Sequence, residues 1–220
     1  MRLAWMTDVH LNFLEPPARR WFWESARDQA DAFVISGDIA ESPSITGVLE
    51  EMADVLQKPV CFVLGNHDFY RSSIVVTRVE VAGLAEQLES LTYLTATGVV
   101  ELTRQTALIG HDGWADGRLG DFDRSDVFLN DYVAIRELRK WKGEFSLDKP
   151  ALREALNALG DEATRHFENV LQQAVAKCPP VIAVTHVPPF KEAAWYESKH
   201  SDDNYLPHFA SLTLTYRFKS

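Results

Sequence analysis

The feature that most constrains this chain is a set of short apolar runs, each closed by a polar residue with ligating chemistry. Leu3 to Met6 precedes Asp8, Ala32 to Ile35 precedes Asp38, Val60 to Leu64 precedes Asn66, and Val181 to Val184 precedes His186. Runs of this length and composition, bounded by Gly, Asp or His, read as buried strands. Between the early ones lie two segments of helical character. Pro16 to Ala30 opens with prolines that suit a first turn, and in Pro43 to Gln57 the preceding Ser42 is placed to cap. Strand, helix, strand, helix, strand predicts parallel strands joined by crossovers, with helices covering the sheet: an α/β fold.

Further along, Ile74 to Leu88 reads as a helix, and Gly98 to Leu102 with Thr106 to Ile109 as a strand pair. Apolar residues return at helical spacing over Val127 to Lys142 and again over Lys149 to Lys177, where Leu152, Leu156, Leu159, Ala163, Phe167, Val170 and Ala174 form one stripe. Gly160 followed by Asp161 offers a point at which that second segment divides, because Gly weakens a helix interior and Asp caps a new one. With 220 residues and 46% hydrophobic composition, the chain can bury a sizeable core as a single domain spanning 1–220.

The formal net charge of −10 argues against a broad electrostatic grip on long nucleic acid and leaves room for a metal-assisted site that takes a small anion. Cys61 and Cys178 stand far apart in unrelated contexts, unlike a disulfide framework, and Cys61 sits inside an apolar run as a core residue. No apolar run approaches the roughly 18 residues of a membrane span, and the first residues are not a secretory leader. The expected location is cytoplasmic, with no membrane partner.

Open α/β sheets place ligands beyond the carboxyl ends of their strands. The residues found there are Asp8-Val9-His10, Gly37-Asp38, Gly65-Asn66-His67-Asp68 and Thr185-His186. Each piece alone is a common turn or solvated loop. Together they bring two carboxylates, an amide and several imidazoles to one sheet edge, and coincidence explains that order and spacing poorly.

Through these residues the chain resembles the calcineurin-like metallophosphoesterase superfamily. The resemblance implies a four-layer α/β fold, a sandwich of two mixed β-sheets flanked by helices, carrying two divalent metal ions. It assigns Asp8 and His10 to the first metal, Asp38 to a bridge between both, and Asn66 and His186 to the second. His67 becomes the acid that protonates the leaving oxygen, oriented by Asp68 or Asp38. A carboxylate bridging two cations about 3.5–4 Å apart suits attack by a metal-bridging hydroxide and in-line displacement at phosphorus. A positioned imidazole adds about 10²–10⁴ in rate for a poor leaving group. Mixed oxygen and nitrogen ligands suit Mn²⁺, Fe or Zn²⁺ without choosing among them.

The resemblance also calls for a Gly-His-x-His after a last core strand, and this chain has none. A product that has lost its last motif, a divergent site using His200 or His208, and a member without catalysis all fit, the first best, because the upstream ligand set is coherent. Each metal then lacks one imidazole, which predicts weakened hydrolysis. An unpaired sheet edge would invite a second copy, and hence a homo-oligomer. The terminal Leu212 to Lys219 alternates apolar and polar, which predicts a half-buried strand. The phosphoprotein phosphatase branch carries Asp-Arg after its Gly-Asp and Glu after Asn-His, whereas here Ile39-Ala40 and Asp68 stand there. That favours a bacterial-type phosphohydrolase acting on a small phosphomonoester or phosphodiester. The alternative is an inactive metal- or phosphate-binding module.

Three other groups bear on function. His111, Trp114 and Arg118 lie in a Gly- and Asp-rich loop that either borders the active-site mouth or is plain flexible surface. His166 reads as structural or solvated. Trp21, Phe22 and Trp23 are consecutive, so one helix cannot bury all three on one face.

Overall fold

Three of the apolar runs and one short segment beyond them pair into a parallel sheet. In the computed structural model, which describes residues 1–143, 146–178, 180–196 and 198–218, the chain divides into two compact units, Met1–Gly98 and Val99–Ser220. The first unit runs β1 (Leu3–Met6), α1 (Pro16–Arg27), β2 (Ala32–Ser36), α2 (Ser42–Leu56), β3 (Val60–Val63), α3 (Ile74–Gln87) and β4 (Leu91–Tyr93). Its strands lie in the order β1-β2-β3-β4, parallel throughout, with Leu3 opposite Ala32, Phe33 opposite Val60 and Val60 opposite Leu91. Every residue of β2 and β3 is buried, as expected of parallel strands covered on both faces. The edge strand β1 instead leaves Trp5 exposed, its indole N–H donating to Ser36 Oγ at 2.9 Å.

Local signals set the helix boundaries, with one difference. The residue before α2 is Glu41, and Ser42 is already helical; its hydroxyl is buried against Thr77 Oγ1 of α3 at 2.8 Å. The Ser42 side chain therefore joins two helices rather than capping one. α2 stops where Gln57 turns left-handed (φ 49°) and donates its N–H to Ala53 O, a common helix ending. On α1, Trp23 is fully buried while Trp21 faces solvent.

The second unit runs β5 (Val100–Thr103), β6 (Thr106–Gly110), α4 (Asp131–Ala134), β7 (Trp141–Lys142), β8 (Ser146–Leu147), α5 (Lys149–Lys177), β9 (Val181–Val184), β10 (Trp195–Tyr196), β11 (Lys199–His200), α6 (Leu206–Phe209) and α7 (Leu212–Phe218). β5 and β6 pair antiparallel, and β6 and β9 parallel, giving a mixed sheet on which α5 packs. Its core joins Ala107 and Ile109 to Ala163, Phe167, Val170 and Ala174 of α5 and Leu214 of α7.

Three expectations change here. Val127 to Lys142 forms no continuous helix: α4 is one turn, Ile135 is extended, a 3₁₀ turn covers Arg136–Leu138, and a strand follows. Tyr132, Ile135 and Leu138 are buried at a spacing of three, which short tight turns serve as well as an α-helix. The tail Leu212–Phe218 is helical rather than a strand. Its start is held by the buried Asp116, whose Oδ2 accepts from Thr213 N at 2.9 Å, Thr213 Oγ1 at 3.0 Å and Ser211 Oγ at 3.2 Å.

α5 runs unbroken through Gly160. That glycine is there for close approach, since a β-carbon on it would meet Asp116 Cβ at 2.4 Å. Gly160→Ala should therefore lower stability by about 1–3 kcal/mol, the usual effect of overpacking, despite the better helix propensity of Ala. Urea unfolding of the two proteins checks it.

Among the polar residues of this unit, His208 is buried, with Nε2 at 2.9 Å from Ser125 Oγ and Nδ1 hydrogen-bonded to the Tyr132 hydroxyl. Burial, with Lys149 nearby, pushes its imidazole down to about 4. The folded state thus takes up its proton at lower pH than the unfolded chain, whose imidazole titrates near 6.5. Stability associated with His208 is complete above that value and is lost as pH falls toward 4, by about 3 kcal/mol. Urea midpoints at pH 7 and pH 4.5 should differ less for His208→Asn than for the parent chain.

Candidate metal centre

Beyond the sheet, the loops after β1 and β2 continue to pair. Asp8 N donates to Gly37 O at 3.1 Å, His10 N to Asp38 O at 3.0 Å and Leu11 N to Ile39 O at 2.8 Å. This extension holds Asp8, His10 and Asp38 side by side with left-handed backbones, at φ of 52°, 43° and 54°. Non-glycine residues are uncommon there, and clusters of them mark sites where local strain is held by surrounding structure.

Side chains from three strand ends meet at Asp38. His10 Nε2 lies 3.7 Å and His67 Nε2 4.0 Å from Asp38 Oδ2, and the two imidazole rings meet edge to face at 4.8 Å. The other oxygen of Asp38 accepts the backbone N–H of His67 at 3.0 Å. Tyr70 stacks on the His67 ring at 4.3 Å and so fixes its plane. His10, Asp38 and His67 each offer a ligand atom, all within 4.8 Å of one another. Asp8 is exposed, its carboxylate accepting from Thr7 Oγ1 at 2.5 Å, and Asn66 is half-buried at the end of β3.

Asp68, next to His67, is bonded differently from this group. It is fully buried, and its two oxygens accept three backbone N–H groups, from Ile39, Ala40 and Gly65, each at 2.7 Å. Burial, reinforced by the charge of Asp38, pushes its carboxyl well above the usual range, while those three donors act against the shift. It ties the loop after β2 to the loop after β3. The carboxylate facing the His67 ring is that of Asp38.

In the second unit, the loops after β6 and β9 run together in the same manner: His111 N donates to Val184 O at 3.0 Å and His186 N to Asp112 O at 3.2 Å. His186 thus occupies a strand-end position there, half-buried.

A profile of the calcineurin-like phosphoesterase family matches residues 1–212. The chain belongs to that family. No curated protein sequence matches it at a significant level. Among solved structures, phosphopantetheinyl hydrolase from Mycobacterium tuberculosis is similar over 99% of this chain and 78% of that one, with a TM-score of 0.71 and 13% identity. A second crystal structure, also at 13% identity, covers 99% and 79% with a TM-score of 0.54. The protein TT1561 of Thermus thermophilus covers 92% and 74% at 14% identity and a TM-score of 0.49. At such identities the likeness of the first two is one of fold, and this calcineurin-like phosphoesterase has the mixed α/β metallophosphoesterase fold.

Members of the family bind divalent metals, and the donors around Asp38 fit one. The His10 imidazole and the Asp38 carboxylate, groups that such ions accept together, converge there, with the His67 imidazole beside them.

Two other expectations resolve differently in this calcineurin-like phosphoesterase. The stretch His111–Gly117 is buried, so it is not flexible surface. Arg118 is engaged by the Asp161 carboxylate of α5 at 2.7 and 3.0 Å, which makes it a clamp on that helix. His208 has both ring nitrogens occupied by Ser125 and Tyr132 and is not available as a substitute ligand. Sequence reasoning missed the stacking Tyr70; its place three residues after His67, in the same tight turn, is the only local signal.

Proposed function

We propose that this chain hydrolyses a small phosphomonoester or phosphodiester in a metal-dependent reaction. The observation that carries the reading is the convergence of His10 and His67 on one oxygen of Asp38 at the carboxyl edge of a parallel sheet, in a chain of this family. Asp8, His10, Asp38, Asn66 and His186 would hold two divalent ions, with Mn²⁺, Fe or Zn²⁺ all compatible with the donor set. Such ions, when bound, supply a nucleophile near neutral pH and neutralise phosphate charge.

The chain's own residues do the rest. Asp38, fixed by its bond from His67 N, sets the spacing of the donors around it. His67, its ring held by Tyr70, is placed to give a proton to the departing oxygen, worth about 10²–10⁴ in rate. Asp68, bonded to the backbone of the loops after β2 and β3, positions both of them.

By likeness to the Mycobacterium tuberculosis phosphopantetheinyl hydrolase, a phosphopantetheinyl group is one candidate substrate. A cytoplasmic setting and a homo-oligomer belong to the same reading; no described helix is long and apolar enough to cross a membrane.

The test is hydrolysis of bis(p-nitrophenyl) phosphate and p-nitrophenyl phosphate with added Mn²⁺ and with EDTA, beside thermal melting under both conditions. Turnover confined to the Mn²⁺ samples is expected. A melting temperature raised by Mn²⁺ is also expected, because a ligand of the folded state stabilises it by mass action. A rise in melting temperature without turnover would instead favour the binding-module alternative. No effect of metal on either would dismiss both.

A further inference from the structure

The second unit carries a cavity of ≈ 540 Å³ that the metal chemistry does not use. It lies beside the short hairpin of β10 and β11, where Trp195 pairs with His200 and Tyr196 with Lys199. Trp195, Tyr196, Tyr205 and Phe209 line it together with Lys199 and His200, and Pro188, two residues beyond His186, forms another part of the wall. Its volume falls in the range of small-molecule sites, which are mostly apolar with a few placed polar groups.

The aromatic faces are held rather than loose. Trp195 Nε1 donates to Glu192 O at 2.9 Å, and the indole lies 4.3 Å from the His200 ring, yet Trp195 remains 60% and Tyr196 71% exposed. The hairpin is tied down by Ser201 N donating to Ala194 O at 2.8 Å, over a small buried cluster of Ala194, Leu206 and Ala210. The one carboxylate on the lining, Asp202, accepts the backbone N–H groups of Asn204 and Tyr205 at 3.0 and 3.1 Å. Lys199 and His200 bring the basic groups to this lining.

Aromatic faces with an ammonium group among them suit a ligand that is both flat and anionic. We infer that this cavity is a binding site for a ligand that carries a planar aromatic ring of nucleobase type, stacked on Trp195, and an anionic group met by Lys199. This binding does not depend on the phosphoesterase reading.

Calorimetric titration of the full chain in EDTA, where no hydrolysis occurs, uses adenosine 5′-monophosphate and ribose 5-phosphate as probes. The monophosphate should bind at least about fivefold more tightly than ribose 5-phosphate, the lower end of what one stacked base contributes. Trp195→Ala should erase that difference, with Tyr205→Ala as a second variant should the first misfold, and Lys199→Ala should weaken both probes alike. Equal affinity for the two probes overturns the inference, as does a preference that survives both aromatic substitutions. Absent binding in a protein that is dimeric until Trp195 is replaced also overturns it, assigning the patch to a second copy. Base-dependent binding without turnover in the Mn²⁺ assay would leave the cavity standing and remove the hydrolytic reading instead.

Discussion

Asp38→Asn should reduce Mn²⁺-dependent hydrolysis by at least about 100-fold while leaving the fold intact. The asparagine keeps the size of the side chain and tolerates the left-handed backbone at φ 54°, so the pairing of His10 N with Asp38 O survives. The acceptor for His67 N also survives as an amide oxygen. What is lost is the negative charge toward which both imidazoles point. Residues that only orient metal ligands typically cost about 10–100-fold in affinity or activity when replaced, and under the proposed reading Asp38 is itself a ligand. Metal titration followed by melting, together with the chromogenic assay, separates the cases. Loss of both turnover and the Mn²⁺ stabilisation supports the site, whereas an unchanged response to Mn²⁺ places the metal elsewhere.

The second large effect concerns stability. Asp116→Ala should destabilise the protein by roughly 3–5 kcal/mol, as expected when one member of a buried charged network is removed. Its carboxylate satisfies Ser211 Oγ, Thr213 N and Thr213 Oγ1 at the start of α7, and also accepts Arg118 N at 3.1 Å. Each donor left unpaired in a buried setting costs about 1–3 kcal/mol. The loss should be local first, because α7 is short and its hold on α5 depends on Leu214 reaching the core. Limited proteolysis should therefore cut the Asp116→Ala chain near residue 211 before the rest unfolds, and urea denaturation gives the size. Asp116→Asn, which retains one acceptor oxygen, should lose less.

How much of this was legible in the sequence follows from range. β1, β2, β3 and β9 lie where short apolar runs end in Gly, Asp or His; in β2 and β3 burial on both faces writes itself into consecutive residues, while β1 and β9 keep the apolar run although part of each is exposed. The convergence of His10, Asp38 and His67 follows from the same pattern, since parallel strands carry their ends to one edge. β4 was missed, being three residues long with no polar terminator of that kind. The continuity of α5 through Gly160 was hidden, since the reason for that glycine is Asp116, 44 positions away in sequence. Alternation in Leu212–Phe218 pointed to a strand because seven residues offer either period a plausible match, and the decisive factor was a buried carboxylate waiting at the helix start. Asp68 was read through its neighbour His67, whereas its partners are backbone amides, which no side-chain pattern reveals.

The left-handed backbones of Asp8, His10 and Asp38 bear on how variants of this protein should be sorted. A strained residue costs of order 1–3 kcal/mol and persists only when something else requires it. Glycine relieves that cost at no steric penalty, so a library screened for thermal tolerance would favour Asp8→Gly and His10→Gly, the substitutions that remove two of the proposed ligands. Ranking by heat resistance would then enrich for non-functional proteins. Under the proposed reading, selection for this scaffold is better run with metal present, where the residues that weaken the metal-free fold are the ones that would hold the loaded one together.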